Sequence, residues 1–254
     1  MAKKILIHGA TVTAMAVASV FGENCTVINH GFNCAYEYSD AYKVHSLDTE
    51  FGHFHETKKF VSDLKDKNIL QNGILHPHGL AGLSASYFKK YGSKVYLGST
   101  VEKIEENADG VTAVFYLNGE QITVRADFLI DTADFGNNQR TLFAALHTEA
   151  DKPHIPEDIS CIVKGAFKGE YYLKMRSENE SYTDAVMRIN DIWCKELFQK
   201  LPDFRFASVA NDFASYYEKP VVEKTSRHIL HIVSASFSDV AKSFEEGLKC
   251  ICHI

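Results

Sequence analysis

The chain opens on Lys4-Ile5-Leu6-Ile7-His8, then Gly9, then the alanine-rich stretch Ala10-Thr11-Val12-Thr13-Ala14-Met15-Ala16, and returns to an apolar run at Cys25-Thr26-Val27-Ile28-Asn29. That order predicts a short strand, a tight turn, a helix and a second strand. Two strands joined through a helix run parallel, and a parallel sheet must be covered on both faces, so these residues constrain the fold more than any others. A glycine lets the chain turn sharply off the first strand. The backbone amides that follow face outward, and the helix N-terminus offers partial positive charge, which suits a pyrophosphate. Against the pattern G-x-G-x-x-G the chain keeps Gly9 and has Thr11 and Ala14 at the other two places. Lys3-Lys4 and the uncharged stretch to Phe21 also fit a secretory leader. His8-Gly9 interrupts that apolar run and the run from Cys25 supplies the second strand, so the βαβ reading is taken.

With 254 residues, 45% apolar and 24% charged, the chain can bury a full core as one large domain or two interleaved ones. A net charge of −6 and no basic run exclude nucleic acid as the expected partner. No stretch approaches the ~20 apolar residues of a membrane span. The six cysteines are scattered without a C-x-x-C pair, which predicts reduced thiols and a cytoplasmic location. Cys250-Ile251-Cys252-His253 is a metal-like tract on a chain end, and no metal is expected there.

Further along, residues 57–70 and 79–91 carry helical periodicity, the first through Phe60, Val61 and Leu64 and the second through Leu80, Leu83, Tyr87 and Tyr91. Strand patterns then take over at 94–97 and 100–104. Asp109-Gly110 and Asn118-Gly119 between alternating segments predict an antiparallel β-meander over 101–125. Phe128-Leu129-Ile130-Asp131 reads as a strand buried in the parallel sheet beside residues 4–8 and 25–28. Strands are predicted at 160–167, 171–175, 205–210 and 227–233. A long helix carries Tyr182, Val186, Ile189, Trp193 and Leu197, and a terminal helix covers 237–250.

Three regions in order resemble the FAD-dependent oxidoreductases with a glutathione-reductase-type FAD-binding fold, in a shortened form with altered motifs. The opening βαβ unit is the first. Gly98-Ser99-Thr100-Val101-Glu102-Lys103-Ile104, the meander, and Phe128-Leu129-Ile130-Asp131-Thr132-Ala133-Asp134-Phe135-Gly136 are similar to the second signature, which ends in a motif like D-A-T-G-D-G. Residues 184–223, with Leu201-Pro202-Asp203-Phe204-Arg205-Phe206-Ala207 in place of P-G-F-E-x-A, resemble a substrate-side helix and strand. The resemblance implies an α/β fold: a Rossmann-like domain with a parallel central sheet, a β-meander and an inserted α+β substrate-side layer. It divides the chain into an FAD-binding domain, 1–150 with 228–254, and a substrate-side domain, 151–227.

The resemblance also implies FAD as cofactor. Gly9, Ala10, Thr11, Val12, Thr13 and Ala14 would form the pyrophosphate loop, and Asn29 would stand where the family has a ribose-binding acid. Val101 would meet the adenine edge, and Thr132 and Asp134 fall on the second signature. Ser234-Ala235-Ser236-Phe237 is the nearest counterpart of a flavin-ribityl motif. The implied function is an FAD-dependent oxidoreductase acting on a small polar organic molecule. The alternative is a cofactor-poor relative of the same fold serving as a structural or regulatory subunit. It draws on Thr11, Asn29 and Asp134 replacing the family's residues.

For acid/base chemistry the candidates are His53, His55, His76 and His78, from Gly52-His53-Phe54-His55-Glu56 and His76-Pro77-His78-Gly79. Histidine titrates near neutrality, and paired histidines otherwise serve as metal ligands or as ordinary loop residues. Tyr36, Tyr38, Tyr42, Tyr216 and Tyr217 are candidates to line a pocket. Val240, Phe244, Leu248 and Ile251 give the terminal helix one apolar face, for a homo-oligomer, a larger complex or the chain's own core. No G-x-S-x-G, H-E-x-x-H or Walker pattern occurs.

Overall fold

The computed structural model describes residues 2–47, 52–134, 139–177 and 179–253. The opening folds as its pattern dictates: β1 (Ile5–His8), α1 (Val12–Phe21) and β2 (Cys25–Asn29), with β1 and β2 parallel and in register from Ile5 on Cys25 to His8 on Ile28. Residues 32–47, which carry no period, form a one-turn helix α2 (Tyr36–Ser39) inside an irregular crossing segment. There follow α3 (His55–Asp66), a small hairpin β3 (Leu70–Gln71) and β4 (Ile74–Leu75), α4 (His78–Tyr91) and β5 (Lys94–Leu97). The meander is β6 (Thr100–Asn107), β7 (Gly110–Leu117) and β8 (Glu120–Ala126), all antiparallel, and β9 (Phe128–Asp131) returns to β1 in parallel register.

A second block begins with β10 (Gln139–Thr148), β11 (Ile162–Lys164) and β12 (Glu170–Arg176). It continues through α5 (Tyr182–Ile192), β13 (Phe204–Val209) and β14 (Ala214–Tyr216). The chain then returns to the first sheet as β15 (Val222–Lys224) and β16 (Ile229–Ile232) and ends on α6 (Val240–Lys249). The first sheet therefore runs β15-β16-β9-β1-β2-β5, parallel except for the β15 edge. The second, antiparallel, runs β11-β12-β10-β13 with β14 also on β10.

Alternation along the strands decides the layers. Ile5, Ile7, Val27 and Ile130 face α1, α3, α4 and α6, while Leu6, Ile28 and Leu129 face the meander residues Val111, Ala113 and Phe115. α1 is buried from Val12 to Ala18 and hydrophobic all round, because the sheet, α4 and α6 enclose it. Its alanines let α6 approach closely: a Cβ on Gly247 would stand 2.5 Å from the Thr13 carbonyl and 2.7 Å from Ala16 Cβ. Val240, Phe244 and Leu248, the face left open to a partner or to the chain's own core, pack into the core at 0%, 1% and 5% exposure.

The parallel sheet and meander stand where the sequence puts them. β10 has no counterpart among the predicted strands, since it is paired on both sides and buried from Thr141 to Ala144, so no polar alternation marks it. It pairs with strands drawn from 162–216, so the second sheet starts before residue 150. The long helix ends in a π turn, Trp193–Leu197, and the chain turns out at Leu201-Pro202.

Candidate functional site

In open parallel sheets ligands collect at the C-terminal ends of the strands, and here that edge carries the β1–α1 turn. Gly9 has φ +94°, and a Cβ there would meet Thr132 Oγ1 at 2.9 Å, so the turn needs glycine on both counts. Thr11 caps α1: its Oγ1 accepts from the Ala14 amide at 3.1 Å and donates to Thr132 Oγ1 at 2.8 Å. Thr132 Oγ1 lies 2.9 Å from the His8 carbonyl and 3.0 Å from that of Gly9, which ties the end of β9 to the turn.

The amides of Ala10, Val12, Thr13 and Ala14 in this turn each have a partner from the chain itself. Ala10 N–H donates to Asn29 Oδ1 at 3.0 Å, and Asn29 Nδ2 in turn donates to the Gly31 carbonyl at 3.0 Å. Asn29, 3% exposed at the end of β2, is thus folded back onto the loop. Val12 N–H donates to Glu37 Oε1 at 2.9 Å, and Thr13 N–H to Ser234 Oγ at 3.3 Å. Ser234 Oγ–H donates to the same Glu37 oxygen at 2.8 Å.

Glu37 comes from α2 and is 6% exposed. Burial pushes its carboxyl up to about 7, against the Val12 and Ser234 hydrogen bonds and the nearby Lys43, which pull it down. Lys43, six residues further along, donates to the carbonyls of Ser215 and Ala235 at 2.9 and 3.0 Å and lies 4.9 Å from the Tyr216 ring centroid. Its ammonium is lowered to about 8 by burial, with Glu37 acting in the other direction. His45 accepts from Val240 N–H through Nε2 at 3.1 Å and is lowered to about 3 by burial first and then by Lys43, so it stays neutral.

A cavity of about 430 Å³ beside this segment is lined by Lys43, His45, Tyr216, Tyr217, Lys219 and Lys242 among others. A larger concavity of about 990 Å³ lies at Lys3, Lys4, Asp127 and His228, at the opposite, N-terminal edge of the sheet. Position in the fold favours the smaller one.

The four candidate histidines separate into two groups. His53 is exposed, 3.9 Å from Glu245 of α6, and His55 is exposed at the start of α3. His76 and His78 lie 5.4 Å apart, ring to ring, against β12. His76 Nδ1 is 2.7 Å from Glu170 Oε1, and the same oxygen accepts from Tyr172 O–H at 2.5 Å, while Glu170 Oε2 accepts from the Phe167 amide at 2.9 Å. Burial raises the Glu170 carboxyl, but these hydrogen bonds outweigh it and hold the group below its ordinary value. His78, whose ring centroid is 4.3 Å from that of Tyr42, is lowered by burial and then by His76. Among the described residues no group of three or more His, Cys, Asp or Glu side chains is placed to hold a metal ion.

Of the remaining candidates, Val101 lies on β6 opposite Phe115, and Asp134 accepts from Tyr217 O–H. Phe135 and Gly136 of the second signature lie outside the described residues. Parallel register also sets His8, Asp131 and His231 side by side, with Asp131 3.1 Å from His8 and 3.5 Å from His231. Sequence reasoning missed Glu37, Glu170 and Tyr172. Glu37 sits between two tyrosines in a stretch without period, and Glu170, bonded by Tyr172, meets His76 across more than ninety residues, so no local pattern marks either group.

No protein-family model matches the sequence, and no curated protein matches it. Solved structures do match, over nearly the whole chain. p-Nitrophenol 4-monooxygenase PnpA from Pseudomonas putida DLL-E4 superposes with a TM-score of 0.65 at 10% identity, covering 98% of this chain and 79% of that one. A geranylgeranyl bacteriochlorophyll reductase-like protein from Thermoplasma acidophilum gives 0.65 at 13% identity, with 99% and 79% covered. The halogenase PltM in complex with phloroglucinol and FAD gives 0.56 at 13% identity, with 96% and 68% covered. The chain therefore has the Rossmann-like α/β fold of these structures. These three are a monooxygenase, a reductase-like protein and a halogenase, and none of them marks the glutathione-reductase-type subgroup.

No helix among the described residues is long and apolar enough to cross a membrane.

Proposed function

We propose that the chain is a flavin-dependent oxidoreductase that takes FAD at the β1–α1 cradle and acts on a small polar organic molecule. One observation carries this reading: parallel sheet, meander and antiparallel sheet together match a fold that is seen with FAD bound in PltM, over 96% of this chain. The cradle supplies a glycine turn and a helix N-terminus. As folded, its donor set does not fit a pyrophosphate, because the Val12 and Thr13 amides are already taken by Glu37 and Ser234. FAD supplies hydride or oxygen chemistry where it is bound. The reaction is assigned here only to the chain's own groups.

Among those groups His76 is the proton-transfer candidate. An ionised Glu170 accepts from Nδ1–H, fixes the imidazole and leaves Nε2 as the acceptor. Purified protein titrated with FAD should quench flavin fluorescence saturably and release the flavin on denaturation. A chain that ignores added FAD up to millimolar concentration ends the reading.

A second reading rests on a specific observation. Internal partners take the Ala10, Val12, Thr13 and Ala14 amides of the cradle, which supports a structural or regulatory subunit that holds no cofactor. The same titration separates the two.

A further inference from the structure

We propose that Glu37 is a built-in anion filling the pyrophosphate subsite of the cradle, so that a nucleotide diphosphate binds there only by displacing it. The inference rests on the reading of the β1–α1 turn as a nucleotide site, and concerns what governs access to it.

The first support is where Glu37 Oε1 lies. It is 2.9 Å from the Val12 amide, on the first residue of a ten-residue helix, and 2.8 Å from Ser234 Oγ, which also takes the Thr13 amide. Amides of a helix's first turn are the donors a phosphate uses, and negative charge is favoured there by the helix dipole. A carboxylate held on them competes for the same atoms.

The second is the state of the other oxygen. Glu37 is 6% exposed, and its Oε2 is buried with no hydrogen-bond partner. An unpaired buried oxygen is costly, so a carboxylate meets only part of its demand in this place. A diphosphate brings more acceptor oxygens and more charge to the same donors.

The third is how the segment is held. Ala35 N–H donates to the Ala10 carbonyl at 2.6 Å, which clamps the start of α2 onto the turn. Ala35 itself has φ +52°, the left-handed region that is disfavoured for a residue with a Cβ. The clamp is therefore strained, and its release relaxes the backbone. On the far side of α2, Lys43 is anchored independently on the Ser215 and Ala235 carbonyls, so the segment can open at its Ala35 end while staying fixed at Lys43.

The test compares the wild-type chain with Glu37→Ala and Glu37→Gln, titrating inorganic pyrophosphate, ADP and FAD by calorimetry, with circular dichroism to confirm the fold. Removal of the competing charge should tighten pyrophosphate or ADP binding about tenfold or more, the effect of ~1.4 kcal/mol. Glu37→Gln keeps the shape and the Val12 bond, so it decides the matter if Glu37→Ala does not fold. A gain for ADP or pyrophosphate without FAD binding supports the displaced anion and ends the FAD reading. FAD bound equally well by wild type and variants, within about twofold, overturns the displaced anion and leaves the FAD reading standing. No gain for any of the three probes in the folded variants also overturns it.

Discussion

At the scale of single residues, the cradle's behaviour turns on Glu37, whose carboxyl shifts from 4.5 to about 7 on folding, chiefly by burial. A raised carboxyl means that the folded state holds a proton the unfolded chain has lost between these two values. The contribution of Glu37 to stability is therefore greatest below pH 4.5, falls as pH rises towards 7 and is level above that. The shift corresponds to ~3 kcal/mol across the window. His45, lowered to about 3, works in the opposite sense below its ordinary value, and Lys43 acts above about 8. The clean readout is thus the difference between wild type and Glu37→Gln in urea unfolding. It should favour wild type most at the acid end of the window and shrink towards neutrality; a difference independent of pH sinks the assignment. Cys34, Tyr36 and Tyr38 also feel the Glu37 charge but titrate well above this range.

Among the elements, α1 and α6 form the contact that most constrains the cradle, because α6 packs on the helix whose N-terminus borders it. Gly247 is where they touch, 2.5 Å from the Thr13 carbonyl for an added Cβ, and a backbone atom cannot rotate away. Alanine is the better helix former by ~1 kcal/mol, but overpacking at a fixed contact costs ~1–3 kcal/mol. Gly247→Ala should therefore lower the melting temperature by several degrees, about 2–4 °C for each kcal/mol in a chain of this size. An unchanged or raised melting temperature would mean that the two helices separate more easily than their packing suggests. The second sheet shows the same dependence on neighbours. Glu170 and Tyr172 lie two apart on β12, on one face, and the strand's pleat lets the Tyr172 hydroxyl bond the Glu170 oxygen that meets His76.

For the whole molecule, the expected homo-oligomer or larger complex remains a proposal, and α6 is not its surface, since that helix's apolar face is used inside the chain. Light scattering at micromolar concentration reads it directly. A mass above that of one 28.5 kDa chain, falling on dilution, is the expected outcome, and a constant single-chain mass removes the proposal. Three cores hold the molecule together: one under the helices, one under the meander and one against the second sheet. The segment 35–45 runs between two of them, with Tyr38 in the core under the helices and Tyr42 in the core against the second sheet. It links the cradle at Glu37 to the His76–Glu170 pair through Tyr42 and His78.

The sequence by itself determined the parallel sheet, the meander and the helices around them. Each rests on a local rule: apolar period, Gly9 after a strand, Asp109-Gly110 and Asn118-Gly119 between alternating runs. Its resemblance to FAD-binding motifs also marked Gly9, Thr11, Thr132 and Asn29 as one neighbourhood. Only the tertiary structure decided what fills that neighbourhood. Glu37 reaches Val12 across 25 residues and Ser234 reaches Glu37 across 197, bonds between side chain and loop that no periodicity encodes. Local propensity fixes where strands and turns form, whereas the partner of a buried amide is chosen by whichever group the packed layers bring within 3 Å.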